Sequence, residues 1–305
     1  MAEVKKILVL GITGMLGSMV YRYFKDNPHL TVAGTVRNSS CNIVDIDNNI
    51  YTLDAEGDIC GQLSSIEQAF KPHFVINCIG VINKYCNGKK SKDIAKAIMV
   101  NAYFPHKLAN YFTDSDTKII QIATDCVYAG NKGNYDENSI HDAFDVYGKT
   151  KSLGEVVAEN LINIRCSIIG PELQNKSSLL EWFLAKENDS TIFGYSRHIW
   201  NGVTTLQFAK FCEKIIQNES FDNFRSLNHT MHFVENEQIT KYQLLKIFNE
   251  AFQKGVIVKD SFSEDSKRDM TLSSLFLESP NKSMREAIWE LKNYIDTVDF
   301  YKNKI

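Results

Sequence analysis

The chain has 305 residues, an apolar share of 44% and a formal net charge of −3, from 34 Lys plus Arg against 37 Asp plus Glu. That length fits one large domain, or a large domain with an appendage. The near-balanced charge excludes a basic nucleic-acid-binding surface spread over the whole molecule, while leaving room for a local anion pocket.

The seven cysteines, Cys41, Cys60, Cys78, Cys86, Cys126, Cys166 and Cys212, form no C-x-x-C pair. They read as reduced thiols rather than a disulfide framework or zinc site, so a cytoplasmic location is expected and no metal. No apolar run approaches the ~20 residues a spanning helix needs, so no membrane association is expected. Lys5 and Lys6 before the apolar residues 7–10 imitate the start of a signal peptide. The glycines and the charged Arg22 and Lys25 that follow argue against that reading.

In chain order, residues 7–10 are predicted as a buried strand. Met15, Leu16, Met19, Val20 and Phe24 then recur at helical spacing. Further strands are predicted over 30–36, 74–79, 118–123 and 162–169, with helices over 93–112 and 147–159. Strands alternating with helices imply parallel pairing with right-handed crossovers, hence an α/β fold with a doubly wound parallel sheet of the Rossmann type. After Gly170 the pattern loosens. Helices are predicted over 178–185, 205–216 and 242–252 (the last capped by Thr240), with short strands over 231–234 and 256–258. The expected organisation is a dinucleotide-binding domain carrying the catalytic residues over 1–170. A smaller α/β substrate-binding lobe is expected mainly from 171–305, with some segments returning to the main sheet.

Gly11, Gly14 and Gly17 form G-x-x-G-x-x-G between the first strand and the first helix. Glycine lets the backbone turn tightly there and lets a pyrophosphate approach the helix N-terminus, whose free N–H groups and dipole favour an anion. Gly11, Thr13, Gly14, Met15, Leu16 and Gly17 are therefore the first cofactor-binding candidates. An NAD site carries an acidic residue at the end of the second strand for the ribose 2′-hydroxyl. Here that strand runs into Thr35-Val36-Arg37-Asn38-Ser39-Ser40, with no carboxylate. Arg37 could pair with a 2′-phosphate through its planar fork, with Asn38 and the hydroxyls beside it. NADP(H) is the preferred cofactor on this reading, and NAD(H) stays open.

The glycine loop, Thr124-Asp125-Cys126-Val127-Tyr128 and Tyr147-Gly148-Lys149-Thr150-Lys151 together resemble the extended short-chain dehydrogenase/reductases. Within them the chain looks most like the dTDP-4-dehydrorhamnose reductase group, above all over Val146-Tyr147-Gly148-Lys149-Thr150-Lys151-Ser152-Leu153-Gly154-Glu155. The resemblance covers residues 1–170 and is pattern-level beyond. It implies that Asp54 and Ala55 contact adenine, that Cys78, Ile79 and Gly80 line the cofactor groove, and that Asn101 helps order the lysine. It also implies a nucleotide-diphosphate 4-keto-6-deoxysugar as substrate, reduced at C4 for deoxysugar or surface-polysaccharide synthesis.

Tyr147 and Lys151 are spaced i, i+4 and share one helix face. A free phenol has a pKa near ~10, and a nearby ammonium is expected to lower it. In the reduction Tyr147 would protonate the emerging alkoxide, with Thr124 helping to stabilise it. The 4,6-dehydratases follow this threonine with Asp-Glu, whereas here Asp125 precedes Cys126, so their base is absent. Cys126 instead matches an epimerisation cysteine of GDP-fucose synthase and of bifunctional rhamnose epimerase/reductases. Lys176, six residues past Gly170, matches the position of its partner. A bifunctional 3,5-epimerase/4-reductase is thus an alternative. A cysteine after a buried strand is also ordinary small packing.

On the substrate side, Asp125, Arg197, Trp200 and Asn201 are candidates, the last three in an aromatic and polar stretch suited to a base and a diphosphate, with Arg268 a weaker one. Against these stand Trp200 as core packing and Arg197 as a solvated charge. An alternative of another class is a non-catalytic regulatory subunit, like the β subunit of methionine adenosyltransferase, which resembles this group. A homodimer is compatible with the sequence.

Overall fold

The structure, a computed structural model, describes residues 4–38, 49–174, 176–264, 267–278, 280–298 and 300. At its centre lie strands β1 (Lys5–Leu10), β2 (Leu30–Val36), β3 (Ile50–Thr52), β4 (Phe74–Asn77), β5 (Lys118–Thr124) and β6 (Leu161–Cys166). With Thr230–His232 at one edge they form a seven-stranded sheet in the order Thr230–His232, β6, β5, β4, β1, β2, β3. Every pairing is parallel.

Both faces of this sheet are covered, and that is why its strands read as continuous apolar runs. Ile7 and Val9 point to one face with Ile76, Ile120 and Ile164, packing under α1 (Met15–Lys25) and the helix Thr205–Gln217. Leu8 and Leu10 point to the other with Val75 and Ile119, under α2 (Ile59–Phe70) and a long helical segment. That segment, expected as one helix, is α3 (Ser91–Ala97), a π-helical stretch Ile98–Tyr103 and α4 (Phe104–Tyr111). Pro105 supplies the reason: it has no N–H to give Asn101, so the ladder loosens and Phe104 N–H bonds to Met99 O instead.

Two further expectations change. The helix predicted over 147–159 is α5 (Val146–Leu153), ending at Gly154. A Cβ on Gly154 would stand 1.9 Å from the Asn101 carbonyl oxygen, and Val156 is held by the Asn163 side chain through both its N–H and its C=O. The strand predicted over 162–169 breaks at Ser167, and Ile168–Ile169 leaves the main sheet to pair with Val203–Thr204.

The chain beyond Gly170 builds in both places. Thr205–Gln217, Phe221–Leu227 and Thr230–His232 pack on the main sheet. The rest forms a second lobe around Leu180, Phe183, Leu244, Phe248, Ile288 and Leu291. In this lobe His198–Trp200 lies between Ile239–Thr240 and Arg268–Asp269. Thr191–Tyr195 pairs with Ile257–Ser261. Thr240 begins the helix Lys241–Ala251 with a capping box to Gln243, as its sequence position led one to expect.

Candidate active site

The order of the sheet reverses between β1 and β4, and the crevice outside the carboxyl ends of strands at such a reversal is where ligands of open α/β sheets sit. Gly11 leaves β1 with φ +79°, a left-handed conformation that favours glycine. Its N–H donates to Thr35 Oγ1 (3.0 Å), tying the loop to β2. A Cβ on Gly17 would stand 2.2 Å from the Gly11 carbonyl oxygen, so helix and loop approach as closely as only glycine permits. A Cβ on Gly11 would meet Ile79 at 2.9 Å, which puts the β1 loop against the segment after β4. Helix α1 has neither a capping side chain nor an acidic residue in its first turn. Its leading N–H groups and dipole thus fit an anionic phosphate, the group a dinucleotide would place there.

Around that crevice the sequence candidates fall as follows. Arg37 and Asn38 are exposed just past the end of β2, while Ser39, Ser40 and Cys41 lie outside the described residues. Asp54 accepts a hydrogen bond from Glu56 N–H, and Ala55 is buried. Cys78 N–H donates to Leu10 O, holding the start of the β4 loop to β1. Gly80 faces Asn101 Oδ1 and Lys151 Nζ, at 3.4 and 3.9 Å from an added Cβ. Asn101, in the π-helical stretch, accepts from Val81 N–H and donates to Val81 O and to Thr150 Oγ1. It locks the loop after β4 to α5.

Asp145 caps α5 by accepting from Gly148 N–H, and the helix presents Tyr147 and Lys151 to the end of β5. Lys151 is buried, and its Nζ donates to Ile122 O at 3.0 Å. Burial pushes its pKa down to about 8, partly opposed by the Glu155 carboxylate. The expected lowering of the phenol is not what the structure shows. Burial, then the neighbouring Cys126, drives Tyr147 well above its ordinary value, and a hydrogen bond with Thr124 only partly opposes this. A group so placed keeps its proton at neutral pH, the state a proton donor needs.

Thr124 Oγ1 donates to Asp125 Oδ1 (3.2 Å) and accepts from Cys126 N–H (3.2 Å). Cys126 Sγ also donates to Asp125 Oδ1 (3.5 Å). Burial, reinforced by Asp125, pushes the Cys126 thiol up, so it holds its proton. Burial raises the Asp125 carboxyl too, and Lys241 pulls it back down. Lys176, the cation matched to Cys126 in sequence, is exposed at φ +41°. The cation whose charge acts on Asp125 is Lys241, which the sequence reading passed over.

Three substrate candidates are occupied by structure. Trp200 is 2% exposed in the core of the second lobe, which leaves no open face to stack a base. Asn201 uses both ends of its amide on the Leu272 backbone. Arg197 pairs with Glu264 and stacks on Phe262. Arg268 remains exposed. Beneath the site Arg165, 2% exposed, grips Glu155 through Nε and Nη2 and also donates to Tyr128. No group of side chains among the described residues could hold a metal ion, and no helix among them is long and apolar enough to cross a membrane.

A family model described as the RmlD substrate binding domain matches residues 5–268. Among curated proteins, the chain is 24% identical over 260 residues to methionine adenosyltransferase 2 subunit beta of Mus musculus, covering 81% of this chain and 72% of that one. It is 25% identical over 263 residues to a dTDP-4-dehydrorhamnose reductase of Aggregatibacter actinomycetemcomitans, covering 83% and 81%. Among solved structures, a dTDP-4-dehydrorhamnose reductase of Clostridium acetobutylicum is similar with a TM-score of 0.71 at 21% identity, covering 96% of this chain and 99% of that one. One from Bacillus anthracis, in complex with NADP, gives 0.71 at 18% identity, covering 96% and 100%.

Proposed function

The chain belongs to the RmlD substrate binding domain family, and from that premise we propose that it is an NADP(H)-dependent oxidoreductase that reduces the C4 ketone of a nucleotide-diphosphate 4-keto-6-deoxysugar. The observation that carries this reading is the convergence of Thr124, Tyr147 and Lys151 at the end of β5, beside the uncapped start of α1.

The residues present fit the cofactor. Gly11, Gly14 and Gly17 would clear its path, Met15 and Leu16 would offer first-turn N–H groups, and Arg37, exposed just past β2, would offer a 2′-phosphate its fork. The Bacillus anthracis neighbour, solved with NADP, supports the same choice. When bound, NADPH would supply the hydride. Tyr147, kept protonated by burial, delivers the proton to the nascent alkoxide, and Thr124 hydrogen-bonds the same oxygen. Lys151, held by Ile122 O, supplies a positive charge on the same helix face as the phenol. Asn101 fixes the height of α5 against the loop after β4.

Tyr147→Phe removes the proton donor without touching the glycine loop. Turnover should fall roughly 10²–10⁴-fold, with NADPH binding retained. The measurement is NADPH oxidation with dTDP- and GDP-linked 4-keto-6-deoxysugars. Unchanged turnover would defeat the assignment. A second reading, a non-catalytic regulatory subunit, is favoured by the likeness to methionine adenosyltransferase 2 subunit beta. It predicts NADPH binding with no turnover of any 4-keto sugar nucleotide by the unmodified chain. The epimerase reading draws no such support, because Cys126 is held as a thiol.

A further inference from the structure

Lys241 begins the helix Lys241–Ala251, immediately after the strand Ile239–Thr240. That strand pairs antiparallel with His198–Trp200, opposite Trp200 and Ile199. The pairing sets the lysine against the tryptophan, and the ammonium sits 4.0 Å from the centre of the Trp200 ring. Trp200 is buried, so the cation rests on the face of a fixed aromatic ring. No carboxylate lies within ion-pair distance of Lys241 among the described residues. Its charge nevertheless acts on Asp125, at the end of β5 in the other lobe, and the charges of Asp125 and Cys126 act on it in turn.

The surroundings are electropositive from two sides. The central strand His198–Trp200 is flanked by Ile239–Thr240 and by Arg268–Asp269. Lys241 follows the first of these and Arg268 opens the second. Both cations, after burial, depress the intervening His198 to about 4, so that imidazole is neutral at physiological pH and adds no competing charge. Arg197, on the same layer, is already neutralised by Glu264. What remains is a half-buried ammonium on the Trp200 ring whose charge and those of Asp125 and Cys126 act on one another, with an exposed arginine on the far side of the same strand.

Taking an ammonium out of water is costly unless an anion meets it. We propose that Lys241 is the residue of the second lobe that seats the sugar nucleotide, by donating to an oxygen of its diphosphate while the sugar reaches Thr124 and Tyr147. This rests on the reading of the chain as a sugar-nucleotide reductase. It assigns the anion-binding role to Lys241 in place of Arg197, Trp200 and Asn201. Lys241 contributes positioning, not proton transfer, so substrate affinity should change while the chemical step does not.

The test uses Lys241→Met, which keeps the aliphatic stem over Trp200, and Lys241→Arg, which keeps the charge. Binding of dTDP, UDP, GDP, CDP and ADP is measured by calorimetry on the full chain with NADP present, next to the matching nucleosides. The best-bound diphosphate should weaken 10- to 100-fold in Lys241→Met. It should recover in large part in Lys241→Arg, with nucleoside binding unchanged. In turnover, KM for the sugar nucleotide should rise by a similar factor while kcat and KM for NADPH stay within about twofold. Equal diphosphate affinity in the unmodified chain and in Lys241→Met overturns the proposal, as does the absence of any diphosphate binding. These outcomes are read without catalysis. Loss of the reductase reading, through unchanged turnover in Tyr147→Phe, is therefore distinguishable from loss of the role given to Lys241.

Discussion

The two lobes prepare for charge in opposite ways. At the glycine loop the protein offers backbone: α1 starts with no capping side chain and no acid, and its N–H groups serve as donors because nothing else is there. In the second lobe two cations are instead held against other side chains. Arg197 lies on Glu264 and Phe262, and Lys241 on the Trp200 ring. The loop is thus preorganised by the absence of atoms, and the second lobe by their convergence. A defect in the first should come from adding a group, and a defect in the second from removing one.

The largest expected effect tests side-chain convergence within the main-sheet lobe itself, at its buried Arg165–Glu155 pair. Arg165→Met leaves the Glu155 carboxylate buried without its partner and removes a donor to Tyr128. Stability should drop by roughly 3–5 kcal/mol in chemical denaturation. A loss below about 1 kcal/mol would mean this buried pair is not what holds the end of β6 to the segment after α5.

Adding one methyl to the loop should have the next effect. Gly17→Ala forces a Cβ toward the Gly11 carbonyl oxygen, 2.2 Å away, and should cost roughly 1–3 kcal/mol with a matching loss of NADPH affinity. Gly14→Ala is the control, because its Cβ would meet nothing closer than 3.5 Å. If both variants bind NADPH alike, close approach is not what the loop needs.

Arg37→Ser sharpens the comparison further, since it removes the side chain proposed to meet the 2′-phosphate. NADPH should bind roughly 10-fold more weakly, the worth of one charge-assisted hydrogen bond, and NADH should bind as before. Equal losses for both would remove the 2′-phosphate assignment.

The mildest effect is on pH. Burial holds Lys151 at about 8, below its ordinary value, so its ammonium is present below that pH and lost above it. A turnover step that needs this charge should be half-maximal near pH 8 and then fall about tenfold per unit, as one titrating group requires. A flat profile between pH 7 and 9 would separate the charge of Lys151 from the reaction.

Much of the cofactor half was legible in the residues. Gly11, Gly14 and Gly17 sit within one strand–turn–helix, and Tyr147 with Lys151 within one helical turn, so local spacing is enough to place them. The seven-residue strand at 30–36 was read to its ends, because both faces of it are buried and β-branched and apolar residues fill most of it. Other signals were present and overlooked. Ser283 and Glu286 form a capping box ahead of the helix Met284–Thr297, which the sequence reading did not include. Trp200 was misplaced for a different reason, since an indole in a polar stretch looks the same whether it stacks a base or fills a core.

The sequence by itself determined the doubly wound sheet, the glycine turn and the shared helix face of Tyr147 and Lys151, because each is written in period, glycine placement or helical spacing over a few residues. Only the tertiary structure decided that α5 stops at Gly154, that the phenol is driven up by burial, and that Lys241 is the cation acting on Asp125. Those outcomes depend on which distant segments exclude water from a side chain. Desolvation and pairing across the fold leave no trace in the spacing of residues along the chain.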